Sequence, residues 1–164
     1  MTVPSSPLDR RAQLTGAMHA AGCLDPRDWV GSELAEDIPQ FARFLLLREV
    51  YQLTDAVQDT LAEAVYDQPA LQDTLKALHE AVAPAALEAL LLAYGRALGN
   101  GWVMALDHGP AGQGPDWPGW QLMETDAEGA PSGRLVQGLH EDYLDFEGAY
   151  QRLGRSSDAG PLEH

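Results

Sequence analysis

The sequence predicts a single α+β domain: an N-terminal helical bundle around a long central helix, then a small antiparallel sheet and a closing C-terminal helix. Up to residue 101, apolar residues recur at spacings of three and four, which is the pattern of amphipathic helices. After residue 101, short aromatic and aliphatic runs alternate with turns rich in glycine and proline, which is typical of strands. A length of 164 residues suits one domain.

The first predicted element is a helix over residues 8–21, which ends at Gly22. The preceding residues, 1–7, are predicted to form a flexible arm. Residues 23–31 contain an aspartate-proline pair and are predicted to form a turn that places Trp29 against the core.

The central helix is predicted to run from Asp37, its N-cap, to about residue 65, and to form the centre of the core. Its apolar residues step by three or four positions and therefore share one side of a helix. Leu53 and Val57 lie in the middle of this stripe and are predicted to be buried. The stripe consists of Leu46, Val50, Leu53, Val57, Leu61 and Val65, and it is widened in the first half by Phe41, Phe44, Leu45, Leu47 and Tyr51.

Two further helices are predicted before the change of pattern. Residues 71–82 carry leucines at helical spacing, and Pro84 opens a second helix that continues to Leu98. Two glycines within residues 99–101 predict the end of this second helix.

The remainder is predicted to form the sheet and the closing helix. Residues 102–106 and 120–125 are candidate strands, and a third is expected near residues 135–136. A loop rich in glycine and proline, residues 107–119, separates the first two. Apolar residues at spacings of three and four predict an amphipathic helix over residues 139–153.

The predicted domain covers residues 8–154, and residues 155–164 are predicted to form a disordered tail. The last three residues, Leu-Glu-His, resemble the start of a purification tag and are excluded from functional interpretation. The single cysteine, Cys23, excludes an internal disulfide. Neither a signal peptide nor an apolar run of membrane-spanning length is recognised, so the expected location is the cytoplasm, with no membrane partner.

Acidity is the strongest compositional signal. The chain has 25 acidic and 10 basic residues, a formal net charge of −15. Such a charge repels nucleic-acid phosphates, so direct nucleic-acid binding is not expected, whereas basic proteins are attracted. Acidity that only maintains solubility is the simpler alternative.

The richest polar cluster lies at the start of the predicted last helix and comprises His140, Glu141, Asp142 and Asp145. In helical register Glu141 and Asp145 share a face, which a divalent cation could use. Adjacent side chains such as Glu141 and Asp142 diverge, however, and a cation requires oxygens that converge. A solvated acidic face is therefore the simpler interpretation, and no metal ligand is assigned.

Asp107 and His108 form the second candidate, since they follow a predicted strand and open the long loop. Neighbouring side chains on a strand point apart, so sequence adjacency does not establish an acid/base pair. If His108 and His140 met in space with Asp107 and Glu141, a metal or acid/base site would become credible.

The loop also contains Asp116 and Trp117. A tryptophan displayed on a loop commonly anchors a protein or ligand contact, although Trp117 could equally fold over the core. The candidate binding surface therefore combines the loop with the acidic start of the last helix: Asp107, His108, Asp116, Trp117, His140, Glu141, Asp142 and Asp145.

The leading functional hypothesis is a protein-binding module, either an immunity-type inhibitor or an adaptor, whose partner is another protein and plausibly a basic one. A metal-assisted hydrolase that uses His108, His140 and nearby carboxylates is the alternative, and a nucleic-acid charge mimic is a third. No nucleophile, phosphate-binding or dinucleotide-binding motif is found, so no catalytic residue or cofactor is assigned. A convergent pocket would favour the enzyme, and a flat acidic face would favour binding.

Overall fold

The computed structural model of the chain describes residues 7–109 and 119–150. It confirms the α+β class, with a helical region followed by a small sheet and a short helix. The predicted tail and nearly all of the predicted arm lie outside the described residues. The elements are α1 (Pro7–Ala20), α2 (Arg27–Glu36), α3 (Gln40–Asp55), α4 (Val57–Asp67), α5 (Leu71–Ala81), α6 (Pro84–His108), β1 (Leu122–Thr125), β2 (Pro131–Val136), α7 (Leu139–Tyr143) and a 3₁₀ turn (Phe146–Gly148).

The predicted central helix is in fact two helices, α3 and α4. They are separated at Ala56, whose backbone leaves the helical region with φ −82° and ψ 47°. The apolar periodicity continues across this break, which is why the sequence pattern does not reveal it. Asp37 is not the N-cap of α3: it ends α2 in a left-handed conformation with φ 56°, and α3 begins at Gln40.

The core is centred on α3, on residues that widen the predicted stripe rather than on the stripe itself. Phe44, Leu47 and Tyr51 are buried at helical spacing, whereas Leu53 is 65% exposed, so its predicted burial is wrong. The predicted burial of Val57 is confirmed. The other large core side chains include Met18, Val30, Val103, Leu139, Tyr143 and Phe146.

The segment after α1 is mostly helical rather than a turn, because α2 begins at Arg27. Trp29 lies in α2 and meets the ring of Phe44 edge-on, with 5.7 Å between ring centroids. It also meets the ring of Phe146, at 6.3 Å. The predicted contact between Trp29 and the core is therefore confirmed.

The predicted strand over residues 102–106 is wrong, because α6 continues without interruption from Pro84 to His108. Gly99 does not end the helix. It is buried where α6 meets α7, and a Cβ atom at this position would overlap the hydroxyl group of Tyr143. Close packing, rather than helix termination, accounts for this glycine.

The sheet has two antiparallel strands within the described residues. Leu122 lies opposite Val136 and Met123 opposite Leu135, and the register is irregular before Thr125. The predicted last helix is much shorter than expected, since α7 ends at Tyr143 and a 3₁₀ turn follows. A hydrogen bond from the hydroxyl of Tyr51 to the carbonyl of Tyr143 connects the end of α7 to α3.

Among the described helices, no single one is long and apolar enough to cross a membrane. α5 and α6 pass that test of length and composition only as a pair, which is bent by 119° at its junction.

Candidate functional site

Four of the predicted site residues line one cleft of about 600 Å³: Asp107, His108, His140 and Glu141. The cleft lies where the end of α6 meets the start of α7. Asp37, which precedes α3, lies on its border, and Arg43 of α3 lines it as well. We call this the Asp107 cleft. The structure thus places together residues that are 33 positions apart in the chain.

The carboxylate of Asp107 holds His140 in place. Its side chain is only 3% exposed, and its Oδ2 accepts hydrogen bonds from the backbone N–H of His140 at 2.8 Å and from the ring Nδ1 at 2.7 Å. Burial acts to raise the pKa of Asp107, but the hydrogen bonds from His140, with a contribution from the backbone N–H of Leu139, outweigh it and hold that pKa below its ordinary value. An ionised carboxylate only accepts, so Nδ1 carries the proton and a neutral His140 keeps Nε2 as an acceptor.

The ring of His108 lies beside that of His140, with 5.0 Å between the ring centroids. The Nδ1 atom of His108 lies 3.0 Å from the carbonyl oxygen of Met104. Because a carbonyl only accepts, Nδ1 is the donor and Nε2 of a neutral His108 is again an acceptor. The two histidines therefore present the same kind of nitrogen, a lone-pair acceptor, from the lining of the cleft.

Arg43 is buried among the groups that shape the cleft. Its Nη1 donates to Gln40 at 3.0 Å, and its Nη2 donates to the carbonyl of Gly138 and to the carboxylate of Asp142, both at 2.6 Å. Gly138 has φ 73°, a conformation that suits glycine, and precedes α7 directly. Arg43 thereby fixes the start of α7, and with it His140, against α3.

Two buried polar atoms at this site have no hydrogen-bond partner within the described residues: Oδ1 of Asp107 and Nε of Arg43. Buried polar atoms are almost always satisfied in folded proteins, so each such exception calls for an explanation. The orphaned carboxylate oxygen is an acceptor in a cleft that already contains two imidazole acceptors. The site is therefore equipped to receive a group with several N–H donors.

The other predicted residues lie in different surroundings. Asp142 forms an ion pair with Arg43 at 2.6 Å, and burial raises its pKa despite that arginine. Asp145 is exposed beyond the end of α7, so the predicted acidic face with Glu141 does not form as one continuous helix. Asp116 and Trp117 lie outside the described residues.

A metal site requires several ligand side chains close together, and the described residues can be searched for such a group. Within residues 7–109 and 119–150, no group of three or more His, Cys, Asp or Glu side chains is arranged to hold a metal ion. A metal bound by this part of the chain alone would therefore lack the usual protein ligands.

Two arginines that hold the elements around the cleft together, Arg43 and Arg134, are not among the residues predicted from the sequence. Arg43 interrupts the apolar run from Phe41 to Leu47, and a lone cation inside such a run signals a buried group in need of a carboxylate. Arg134 of β2 pairs with Glu33 and Glu124, both at 3.1 Å, and connects β1, β2 and α2. Comparisons of the chain with protein-family models, curated proteins and solved structures find no match.

The depressed pKa of Asp107 gives a testable pH dependence. In the unfolded chain this group titrates near its ordinary value of 3.8. Its stabilising contribution is present above that pH and is lost as the pH falls through the lower pKa of the folded state. We expect Asp107→Asn to lower the free energy of unfolding at pH 7, and the difference from wild type to narrow steadily below pH 4. Urea denaturation of both proteins between pH 7 and pH 2.5 measures this difference in the free energy of unfolding.

The raised pKa of Asp142 acts in the opposite direction, but it is common to both proteins and cancels in the comparison. A difference between wild type and Asp107→Asn that stays constant from pH 7 to pH 2.5 would contradict the expectation.

Proposed function

We propose that this chain is a protein-binding module that captures a cationic side chain of a basic partner in the Asp107 cleft. The observation that carries the proposal is that Asp107, whose Oδ1 has no hydrogen-bond partner within the described residues, lines one cleft with His108 and His140. A guanidinium group offers five N–H donors and no acceptor, and it pairs with carboxylates in a bidentate manner. An arginine of the partner is therefore the best match to the acceptors of this cleft.

The charges around the cleft support the same partner. Three carboxylates line it, those of Asp37, Asp107 and Glu141. Asp37 lies 3.4 Å from the guanidinium of Arg134, and Glu141 lies 3.9 Å from that of Arg43. That guanidinium already contacts Asp142 at 2.6 Å. The net charge of −15 adds a long-range attraction that would steer a basic protein towards the chain. An immunity-type inhibitor or an adaptor would act in this way.

The charge-mimic hypothesis has less support. A mimic of nucleic acid requires rows of free carboxylates over an extended face. Instead Glu33, Asp55, Glu124 and Asp142 each pair with an arginine of the same chain.

A peptide titration tests the proposal, with hexa-arginine as the probe and hexa-citrulline as its neutral isostere. We expect wild type to bind hexa-arginine and not hexa-citrulline in isothermal titration calorimetry at pH 7. Removing the charge of a buried pair typically weakens binding severely, so Asp107→Asn should lower the affinity at least about tenfold. Glu128→Gln, at an exposed turn outside the cleft, is the matched control and should change the affinity less than about twofold.

Two results would contradict this proposal. Equal loss of affinity in Asp107→Asn and Glu128→Gln would reduce the interaction to general charge attraction. Equal binding of hexa-citrulline would remove the need for a cation.

The geometry of His140 favours a second candidate function, proton transfer. A buried carboxylate that orients an imidazole through Nδ1 leaves Nε2 available as a general base. Turnover of p-nitrophenyl acetate by wild type, lost in His140→Ala and retained in Glu128→Gln, would favour this candidate. Binding of hexa-arginine without such turnover would favour the binding module.

A further inference from the structure

An apolar groove of about 550 Å³ lies between α3, α4 and α6, separate from the Asp107 cleft. Leu53, Tyr94, Leu98 and Trp102 line it, and each of these side chains is largely exposed. Large apolar surfaces on a folded domain mark interaction sites. We propose that a second copy of this chain covers the groove and the neighbouring apolar surface of α4–α6, so that the protein is a homodimer.

The burial along the chain shows how incomplete this part of the fold is. None of residues 58–86 is buried, although they include most of α4, all of α5 and the start of α6. The leucines of α5 recur at helical spacing, as in a helix that packs against something. Helices in proteins are stabilised mainly by packing of their apolar face, so this region lacks the partner that its sequence requires.

The uncovered area is sufficient for a stable dimer. Aromatic side chains carry about 150–250 Å² each. Tyr94 and Trp102, which line the groove, are 65% and 63% exposed, which leaves about 250 Å² uncovered on these two. Leu53, Leu90 and Leu98, which are 65%, 66% and 50% exposed, bring the total to about 500 Å², which is the area per partner in a biological interface of about 1,000 Å².

A second copy fits this surface better than an occasional partner does. A surface that leaves a whole helix without burial needs constant cover, and only another copy of the chain is present wherever the chain is folded. Obligate homodimer interfaces are also the more hydrophobic class. A two-fold arrangement would place the same three helices of both copies against each other.

The charges near this surface determine how salt should act on the dimer. Residues 49–106, which include α4, α5 and most of α6, contain eight acidic and two basic side chains, so two copies that meet through these helices carry like net charge and repel each other. Salt screens that repulsion, and the dimer should become tighter as NaCl is raised from 50 to 500 mM. Binding of a basic protein on the same surface would instead weaken over this range.

Sedimentation velocity of the full chain over a range of concentrations tests the proposal. We expect wild type to sediment as a species of twice 17.7 kDa, and Trp102→Glu to raise the dimer dissociation constant at least about 30-fold, as expected for an aromatic hot spot. Leu144→Glu, at an exposed position outside the groove, is the matched control and should remain a dimer. Circular dichroism verifies that each variant is folded. If Trp102→Glu does not fold, Leu98→Glu is used in its place.

Several outcomes would overturn the proposal. Sedimentation of wild type as a monomer at every concentration up to 100 μM would show that no dimer forms. A dimer that persists in the folded groove variants would place the interface elsewhere. Weakening of the dimer by salt would contradict the charge argument, and a monomer that co-sediments with phosphatidylcholine vesicles would show that lipid covers the surface. None of these results depends on the binding of hexa-arginine, so the dimer and the Asp107 cleft are tested separately.

Discussion

Phe44→Ala is expected to lower the free energy of unfolding by about 3–5 kcal/mol, the range for truncating a buried phenylalanine. Phe44 is fully buried on α3, and its ring centroid lies 5.7 Å from that of Trp29 and 5.2 Å from that of Phe146. Alanine would leave a cavity where α2, α3 and the C-terminal 3₁₀ turn meet. Neighbouring rings can relax into such a cavity only in part, so most of the lost packing is not recovered.

Urea denaturation, monitored by circular dichroism at one fixed protein concentration, measures this effect. Leu144→Ala removes an exposed apolar side chain and serves as the control, with an expected change within about 0.5 kcal/mol. Similar midpoints for Phe44→Ala and Leu144→Ala would show that the core is not centred on α3.

Arg43→Met should have the second-largest effect, a loss of about 3 kcal/mol. Breaking a buried ion pair from one side typically costs 3–5 kcal/mol, and the 37% exposure of the Asp142 side chain places this pair at the lower end. The substitution retains most of the side-chain volume but removes the donors to Gln40, Gly138 and Asp142. The start of α7 would then lose its polar connection to α3.

A double-mutant cycle isolates the ionic part of this loss. In the Arg43→Met background, Asp142→Asn should cost much less than it does in wild type, because the charge that it removes no longer has a partner. Arg10→Met, at an exposed position on α1, controls for the loss of one positive charge. If Arg43→Met unfolded at the same urea concentration as Arg10→Met, the buried network would contribute nothing to net stability.

Sequence patterns predicted the kinds of element well where amphipathic periodicity was strong, and failed where tertiary packing decides. The break at Ala56 has no glycine or proline to signal it. It lies next to a contact that no local pattern reports, since a Cβ atom at Gly95 of α6 would come 3.0 Å from the carbonyl oxygen of Thr54. Residues 102–106 have a strand-like composition, but the surrounding helix overrides it.

The sequence identifies several residues of the candidate site but not how they are arranged in space. Asp107, His108, His140 and Glu141 were singled out, but their meeting depends on how the end of α6 lies against α7. Arg43 lies within the apolar run from Phe41 to Leu47, where helical periodicity identifies the apolar neighbours and does not identify a buried cation. Long-range contacts between polar side chains carry no periodic signal in a single sequence, and this limits prediction of the site more than prediction of the fold.

The uninterrupted course of α6 has a consequence for regulation. One continuous helix carries Leu98 and Trp102 in the groove and Asp107 in the cleft, and the latter two are separated by only about 7.5 Å along its axis. Because α6 contributes residues to both surfaces, a displacement of the helix at one surface also shifts its residues at the other. If both proposals hold, occupancy of either surface can alter affinity at the other, and thermodynamic reciprocity requires the two effects to be equal in free energy. Dimerisation and capture of the basic partner would then be linked equilibria.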